Sequence, residues 1–268
     1  MQRIDLGACR LEVRQLAAPA GAPDRAPLVF LHEGLGSVAM WRDWPAQVCA
    51  ASGRGGWIYS RRGYGASDPV PKVREESRVV DGVRQGRLLP DYLHHEAFEV
   101  LPALLARLGI GRAPVLLGHS DGGSIALLHA SRYPVAACIV MAPHVVVEEV
   151  SLAAITKART AFESGDLRRN LARFHSDVDC AFWQWNDAWL NPAFRGFDIR
   201  PDCQHITAPL LAIQGLDDPY GSMRQIDEIC PGKGAVIRHR LLQCGHSPHR
   251  DQTAATTSLV TGFLQSVG

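Results

Sequence analysis

An α/β fold, with a mostly parallel sheet covered by helices on both faces, is predicted by three observations. Short β-type apolar runs alternate with helix-length segments along most of the chain. A strand, a tight glycine turn and a helix follow one another without interruption over residues 113–130. The 268 residues are 46% apolar, and a chain of this length buries roughly 70–75% of its unfolded surface, enough for one core without disulfides or a structural metal.

In chain order, Ile4 to Leu16 alternates polar and apolar residues about Gly7 and is predicted as an antiparallel hairpin at the sheet edge. Buried strands are predicted at Pro27 to Leu31, Gly56 to Ser60, Pro114 to Leu117, Val135 to Met141, Pro209 to Ile213 and Val236 to Leu242. Helical spacing predicts helices over Tyr92 to Leu108, stopped at Gly109, over Ser124 to Tyr133, ended by Pro134, and over Thr253 to Leu264. Residues 70–91 mix charge with Pro and Gly and read as a solvated loop, whose Arg74, Arg78, Arg84 and Arg87 are the basic residues available for an anion. From Pro143 to His205 the alternation stops. That stretch has helical spacing, no strand, and Trp183, Trp185, Trp189, Phe174, Phe182, Phe194 and Phe197, so it is predicted as an inserted helical cap of residues 143–205 on a core of residues 1–142 and 206–268.

The charge balance of 28 basic against 27 acidic residues has neither the basic stripe of a nucleic-acid binder nor that of a protein held on an anionic membrane. A small-molecule substrate is expected instead, and nothing in these residues specifies an oligomeric state. Seven cysteines, odd in number and without a CxxC pair, argue against a disulfide framework and a thiolate zinc site. The longest apolar run, Val135 to Ala142, is far shorter than the ~18 residues a membrane span needs, and the N-terminus has no export-type apolar region. A cytoplasmic protein is expected.

Gly118-His119-Ser120-Asp121-Gly122 is a G-x-S-x-G sequence between a predicted strand and a predicted helix. That context makes a nucleophile elbow, with the serine on a strained turn, glycines where side chains would collide, and helix N–H groups where an oxyanion would form. A serine hydroxyl needs a base, and the base needs a third group to fix its tautomer. Asp217 and Asp218 follow one late strand and His246 follows the next, giving the chain order Ser, Asp, His. At this level either aspartate can orient the histidine, and His249 competes with His246. His246, His249 and Asp251 also have the spacing of a short metal cluster.

From Pro27 onward the chain resembles the α/β-hydrolase superfamily in its serine-nucleophile branch. LVFLHEGLGSVAMW resembles the oxyanion loop, YSRRGYGASD the R-G-x-G-x-S turn, GHSDGG the elbow, Gly215 to Asp218 the G-x-x-D acid turn and Gly245-His246 the G-H turn. The resemblance implies an eight-stranded, mostly parallel sheet with a helical cap, and a triad of Ser120, His246 and Asp218 without metal or cofactor. It also implies an oxyanion hole formed by the N–H groups of Gly34 and Asp121. Glu33 stands where relatives carry glycine. Ser-Asp-Gly-Gly is similar to the biphenyl-hydrolase-like esterases that act on amino-acid esters; Asp121 reads either as a first-turn aspartate stabilised by the helix dipole and paired with an arginine or, with Glu33, as a candidate for a cationic or hydroxylated substrate group. His144, Trp185 and Trp189 are the further candidates for the substrate pocket. The activity implied is hydrolysis of a small carboxylic ester, with C–C bond hydrolysis of ring-cleavage products, lactone or thioester hydrolysis, and ligand reception without turnover as alternatives. Glu33, Asp121, Asp217 and Asp218 together predict a locally acidic site and a neutral or cationic substrate.

Overall fold

The computed structural model describes residues 1–267. The strands are β1 (Gln2–Asp5), β2 (Arg10–Leu16), β3 (Leu28–Leu31), β4 (Gly56–Tyr59), β5 (Arg78–Val80), β6 (Val83–Gln85), β7 (Val115–His119), β8 (Ala137–Met141), β9 (Leu210–Gly215) and β10 (Val236–Leu241). Eight of them form one sheet in the order β1-β2-β4-β3-β7-β8-β9-β10. The pairs β1 with β2 and β2 with β4 are antiparallel, and the remaining pairs are parallel. The predicted edge hairpin and all six predicted buried strands are present, shifted at their ends by at most a few residues.

The helices are α1 (Trp44–Ser52), α2 (Tyr92–His95), α3 (Leu101–Arg107), α4 (Asp121–Arg132), α5 (Glu149–Glu163), α6 (Asp166–Leu171), α7 (Val178–Trp189), α8 (Arg200–Cys203), α9 (Arg224–Asp227), α10 (Pro248–Asp251) and α11 (Thr253–Ser266). A π-helical turn over Glu96–Val100 joins α2 to α3. Alternation along the strands sorts their side chains into two layers. Phe30, Leu117, Ile139 and Ile213 pack with Val48 of α1 and Val260 and Phe263 of α11, whereas Leu31, Leu116, Val140 and Ala212 join the layer of α3, α4, α5 and α7. Each fully buried Leu, Ile, Val or Phe in these layers contributes roughly 1.5–3 kcal/mol relative to exposure.

Two segments differ from the sequence expectation. Residues 70–91 are not only loop, because β5 and β6 pair across Asp81-Gly82. Both turn residues have positive φ, 49° and 75°, the geometry of the tight hairpin turn that Asp-Gly favours. The four arginines of that stretch do not converge either. Arg74 pairs with Asp187, Arg78 with Glu75 and Arg84 with Asp91, while Arg87 donates to the Arg74 carbonyl. The second difference is at α4, which starts at Asp121, directly after Ser120, and not at Ser124. Between β8 and β9 the chain forms α5 to α8 and adds no strand to the sheet.

The turn from β7 into α4 tolerates no side chain at its flanks. A Cβ on Gly118 would collide with the Gly122 carbonyl, and one on Gly122 with the Leu31 carbonyl at the end of β3. Replacing Gly122 with alanine therefore forces backbone apart, and we expect a loss of about 1–3 kcal/mol or more in unfolding free energy. Gly262, inside α11 with nothing within 4 Å of a built Cβ, is the contrasting site, where alanine is expected to stabilise by roughly 0.5–1 kcal/mol. Urea unfolding of the two variants reads both signs.

Candidate functional site

Ser120 sits at φ 54° and ψ −120°, a strained backbone conformation for a residue with a Cβ. The strain lifts its side chain from the sheet edge, and 5% of the residue is exposed. Its hydroxyl donates to His246 Nε2 at 2.9 Å. The other ring nitrogen, Nδ1–H, donates to Asp218 at 2.8 Å and 3.0 Å. Asp218 is itself anchored, accepting from the Tyr220 N–H at 2.8 Å and from Gln214 Nε2 at 2.7 Å. Burial raises the Asp218 pKa, but the His246 hydrogen bond and charge with the Tyr220 N–H outweigh it and leave the carboxyl below its ordinary value.

The two competitors separate here. Asp217 lies on the exposed side of the turn and its N–H goes to the Cys244 carbonyl. His249 is buried 4.9 Å from the Trp41 ring and 5.3 Å from the Trp44 ring, while Asp251 accepts from the Gly245 N–H. His246, His249 and Asp251 thus have three different engagements, and no cluster of three metal-ligating side chains occurs among the described residues.

Asp121 follows Ser120 as the first residue of α4, so its N–H has no acceptor within the helix. Its carboxylate follows the first of the two sequence readings, an aspartate paired with an arginine. It is 0% exposed and accepts from Tyr92 Oη at 2.7 Å, Trp189 Nε1 at 3.2 Å, and Arg61 Nη1 at 3.4 Å. Burial opposes the Arg61 charge, yet Tyr64, Asp121 and Glu96 outweigh it and push its pKa up. Burial and the neighbouring Asp121 push the Tyr92 hydroxyl well above its ordinary value, which keeps it a donor.

Glu33 is also paired. Its carboxylate lies 3.5 Å from Arg250 and 3.5 Å from His119 Nδ1. Burial pushes its pKa up, but the hydrogen bond and charge of His119, with Arg250 and His249, outweigh this and hold it well below the usual range. Of the four acids in the predicted acidic site, Asp121 is charge-paired with Arg61 and Glu33 with Arg250, while Asp218 is hydrogen-bonded to His246 and Asp217 is exposed.

These groups surround a cavity of about 110 Å³, lined by Ser120, His246, Gly34, Leu35, Ile155, Trp185, Trp189, His144, Tyr220, Glu33 and Asp121. A Cβ on Gly34 would run into the Trp185 indole, so glycine there admits the aromatic wall. Trp189 presents its ring, its N–H being committed to Asp121. The third predicted tryptophan, Trp183, faces elsewhere, with the Arg74 guanidinium 3.7 Å above its ring.

Several residues that build the site carried no signal of their own in the sequence. His119 Nε2–H donates to the His246 carbonyl at 2.6 Å. His32 accepts from the Arg61 N–H at 3.0 Å and donates to the Glu33 carbonyl at 2.7 Å. His175 accepts from the Gly65 N–H and donates to the Leu35 carbonyl, both at 3.0 Å. Arg61 lay inside a quoted motif, and its pairing with Asp121 was the available clue, since a buried acid after the serine requires a cation.

His144, anchored through its backbone to the Ser124 hydroxyl at 2.6 Å and 3.0 Å, packs its ring 4.8 Å from Trp189 and 5.8 Å from His246. Burial, with the adjacent His246 charge, pulls its pKa down to about 3. Above pH ~6.5 the group is neutral folded and unfolded. Below that the unfolded chain takes up a proton that the folded site refuses, so stability falls with pH until the folded pKa is reached. His144→Gln is expected to lose less unfolding free energy than the parent between pH 6.5 and 4.5, by about 2 kcal/mol, as read by urea unfolding at the two pH values.

The sequence pattern of the Alpha/beta hydrolase family matches residues 28–258. No curated protein matches the chain in sequence. Among solved structures, the enol-lactonase from Burkholderia xenovorans LB400 superposes with a TM-score of 0.72 at 20% identity, over 98% of this chain and 100% of that one. Proline iminopeptidase of Mycobacterium smegmatis gives 0.75 at 16% identity, over 99% and 98%. A thermophilic esterase from Thermogutta terrifontis gives 0.72 at 16% identity, over 100% and 99%. At these identities the superpositions establish a shared fold, and no helix among the described residues is long and apolar enough to cross a membrane. With the family pattern spanning the sheet from β3 to α11, the chain belongs to the alpha/beta hydrolase family.

Proposed function

We propose that the protein is a serine hydrolase that cleaves small, uncharged carboxylic esters through Ser120, His246 and Asp218. The continuous relay carries this reading: Ser120 Oγ to His246 Nε2 at 2.9 Å and His246 Nδ1 to Asp218 at 2.8 Å. Ser120 attacks the ester carbonyl as His246 takes its proton. The imidazolium, held by Asp218, then protonates the leaving alcohol, and water releases the acyl group by the same steps. The N–H groups of Asp121 and Gly34 are the proposed oxyanion donors, one such donor being worth roughly 10²–10³ in kcat. The helices of residues 143–205 act in this reading as a cap, supplying Ile155, Trp185 and Trp189 to the pocket wall.

Pocket size and charge support the substrate class. An apolar cavity of about 150 Å³ holds a benzene molecule, so the ~110 Å³ beside Ser120 suits an acyl group of a few carbons. The carboxylates around it already have cationic or imidazole partners, leaving aromatic and aliphatic surface for the acyl chain. His144, Trp185 and Trp189 are the proposed acyl contacts, and Glu33 lies at the pocket wall with its charge shared.

Three expectations follow for p-nitrophenyl esters. Acetate and butyrate exceed octanoate in kcat/KM by about tenfold or more, because the longer chain finds no apolar surface to bury. Asp218→Asn lowers kcat by about 10⁴-fold, while Asp217→Asn leaves it unchanged. A preference for octanoate, or equal losses in the two aspartate variants, would count against the proposal.

A further inference from the structure

The His246 imidazole can face Ser120 and Asp218 together only while the backbone that carries it stays in place. That backbone lies between Gly245, whose N–H is taken by Asp251 at 2.9 Å, and α10, which begins at Pro248. Among the described residues the His246 main chain makes a single hydrogen bond, its carbonyl accepting from His119 Nε2–H at 2.6 Å. His119 is the last residue of β7 and directly precedes Ser120. The bond therefore ties the backbone of the base to the strand that carries the serine.

The His119 ring is itself fixed from several sides. The residue is 0% exposed, and its ring packs 4.9 Å from that of His249 and 5.2 Å from that of His246. Because a carbonyl oxygen only accepts, Nε2 carries the proton of the bond to His246. Nδ1 faces Glu33 Oε2 at 3.5 Å. The other Glu33 oxygen faces Arg250 Nη2 at 3.5 Å, and this guanidinium also donates to the Met40 carbonyl at 3.0 Å. Room for the Glu33 carboxylate comes from Gly36, where a Cβ would collide with it. One carboxylate, on the loop that follows β3, thus stands between the imidazole at the end of β7 and the guanidinium of α10.

We propose that His119 and Glu33 are positioning residues for His246, His119 holding the His246 main chain through its carbonyl and Glu33 holding the His119 ring in the orientation that does so. The role rests on the hydrolase reading above and adds an anchor for the base outside the Ser120–His246–Asp218 relay. A misplacement of about 1 Å can cost roughly 10²-fold in rate. Side chains locked by packing and by further hydrogen bonds are what prevent it.

Fluorophosphonate labelling kinetics of the intact protein separate capture of the reagent, KI, from its reaction with Ser120, kinact, and need no choice of ester. His119→Leu, which has no N–H to give, is expected to lower kinact by about tenfold or more while KI stays within about twofold. His119→Gln, whose amide nitrogen takes the place of Nε2, is expected to return kinact to within about threefold of the parent. Glu33→Gln should lower kinact by about threefold in the parent and leave it unchanged in His119→Leu, since a residue acting through His119 then has nothing to act on. In hydrogen exchange, residues 244–247 should open about tenfold faster in His119→Leu, with β1 and β2 unchanged. Thermal unfolding reports that each variant folds, and His119→Asn, too short to reach the carbonyl, carries the comparison if His119→Leu does not. No labelling of the parent would sink the hydrolase reading and this proposal with it. Labelling of the parent with an undiminished kinact or unchanged exchange in the folded His119 variant, a loss that appears in KI instead, no recovery in His119→Gln, or equal effects of Glu33→Gln in both backgrounds would overturn the positioning role alone.

Discussion

Ser120 holds a backbone conformation, φ 54°, that costs an L residue of the order of 1–3 kcal/mol, and the surrounding packing over-determines it. Gly118 lets the Gly122 carbonyl close over β7, and Gly122 lets α4 press against the Leu31 carbonyl at the end of β3. That contact sets the distance between the first turn of α4 and the loop that begins at His32. Everything proposed for the site inherits this spacing, because Gly34 leaves β3 and Asp121 opens α4. Loosening the turn would move the Ser120 hydroxyl away from His246 and the two N–H groups away from each other.

Charge pairing is the second constraint, and under the proposed mechanism it explains how an aspartate is tolerated beside Ser120. An unpaired carboxylate about 6 Å from a developing oxyanion opposes it by about 3 kcal/mol at an effective dielectric near 20. Arg61 removes that opposition. The pair costs desolvation, which Tyr92 and Trp189 help offset by donating to the same carboxylate. The arrangement also joins three parts of the chain, since Arg61 follows β4, Tyr92 opens α2 and Trp189 closes α7. Asp121 is thus a structural hub, its carboxylate enclosed by Arg61, Tyr92 and Trp189.

The sheet was legible in the sequence because parallel strands buried on both faces read as continuous apolar runs, and the elbow because its glycines are dictated by backbone collisions. The relay was legible in part. Residue types and chain order brought Ser120, an aspartate and a histidine to one edge, and the resemblance of Gly215 to Asp218 to a G-x-x-D turn singled out Asp218, which the structure turns inward while Asp217 stays in solvent. An arginine partner for Asp121 was readable from the sequence, but the identities of the partners were not, since Arg61, Arg250 and His119 are distant in sequence from at least one partner and carry no periodic signal. The β5–β6 hairpin was missed although Asp81-Gly82 announces it, because the charges around the turn read as solvation. The Ser124 start expected for α4 overlooked that the elbow serine itself stands at the helix N-cap.

The central claim is that His246 and Asp218 make Ser120 a nucleophile. Reaction with a fluorophosphonate, followed by peptide mass spectrometry, tests it most directly. The account predicts one phosphonyl adduct, on Ser120, formed rapidly by the parent protein and lost in His246→Ala. No adduct, an adduct on another residue, or labelling of Ser120 at the same rate without His246 would contradict it.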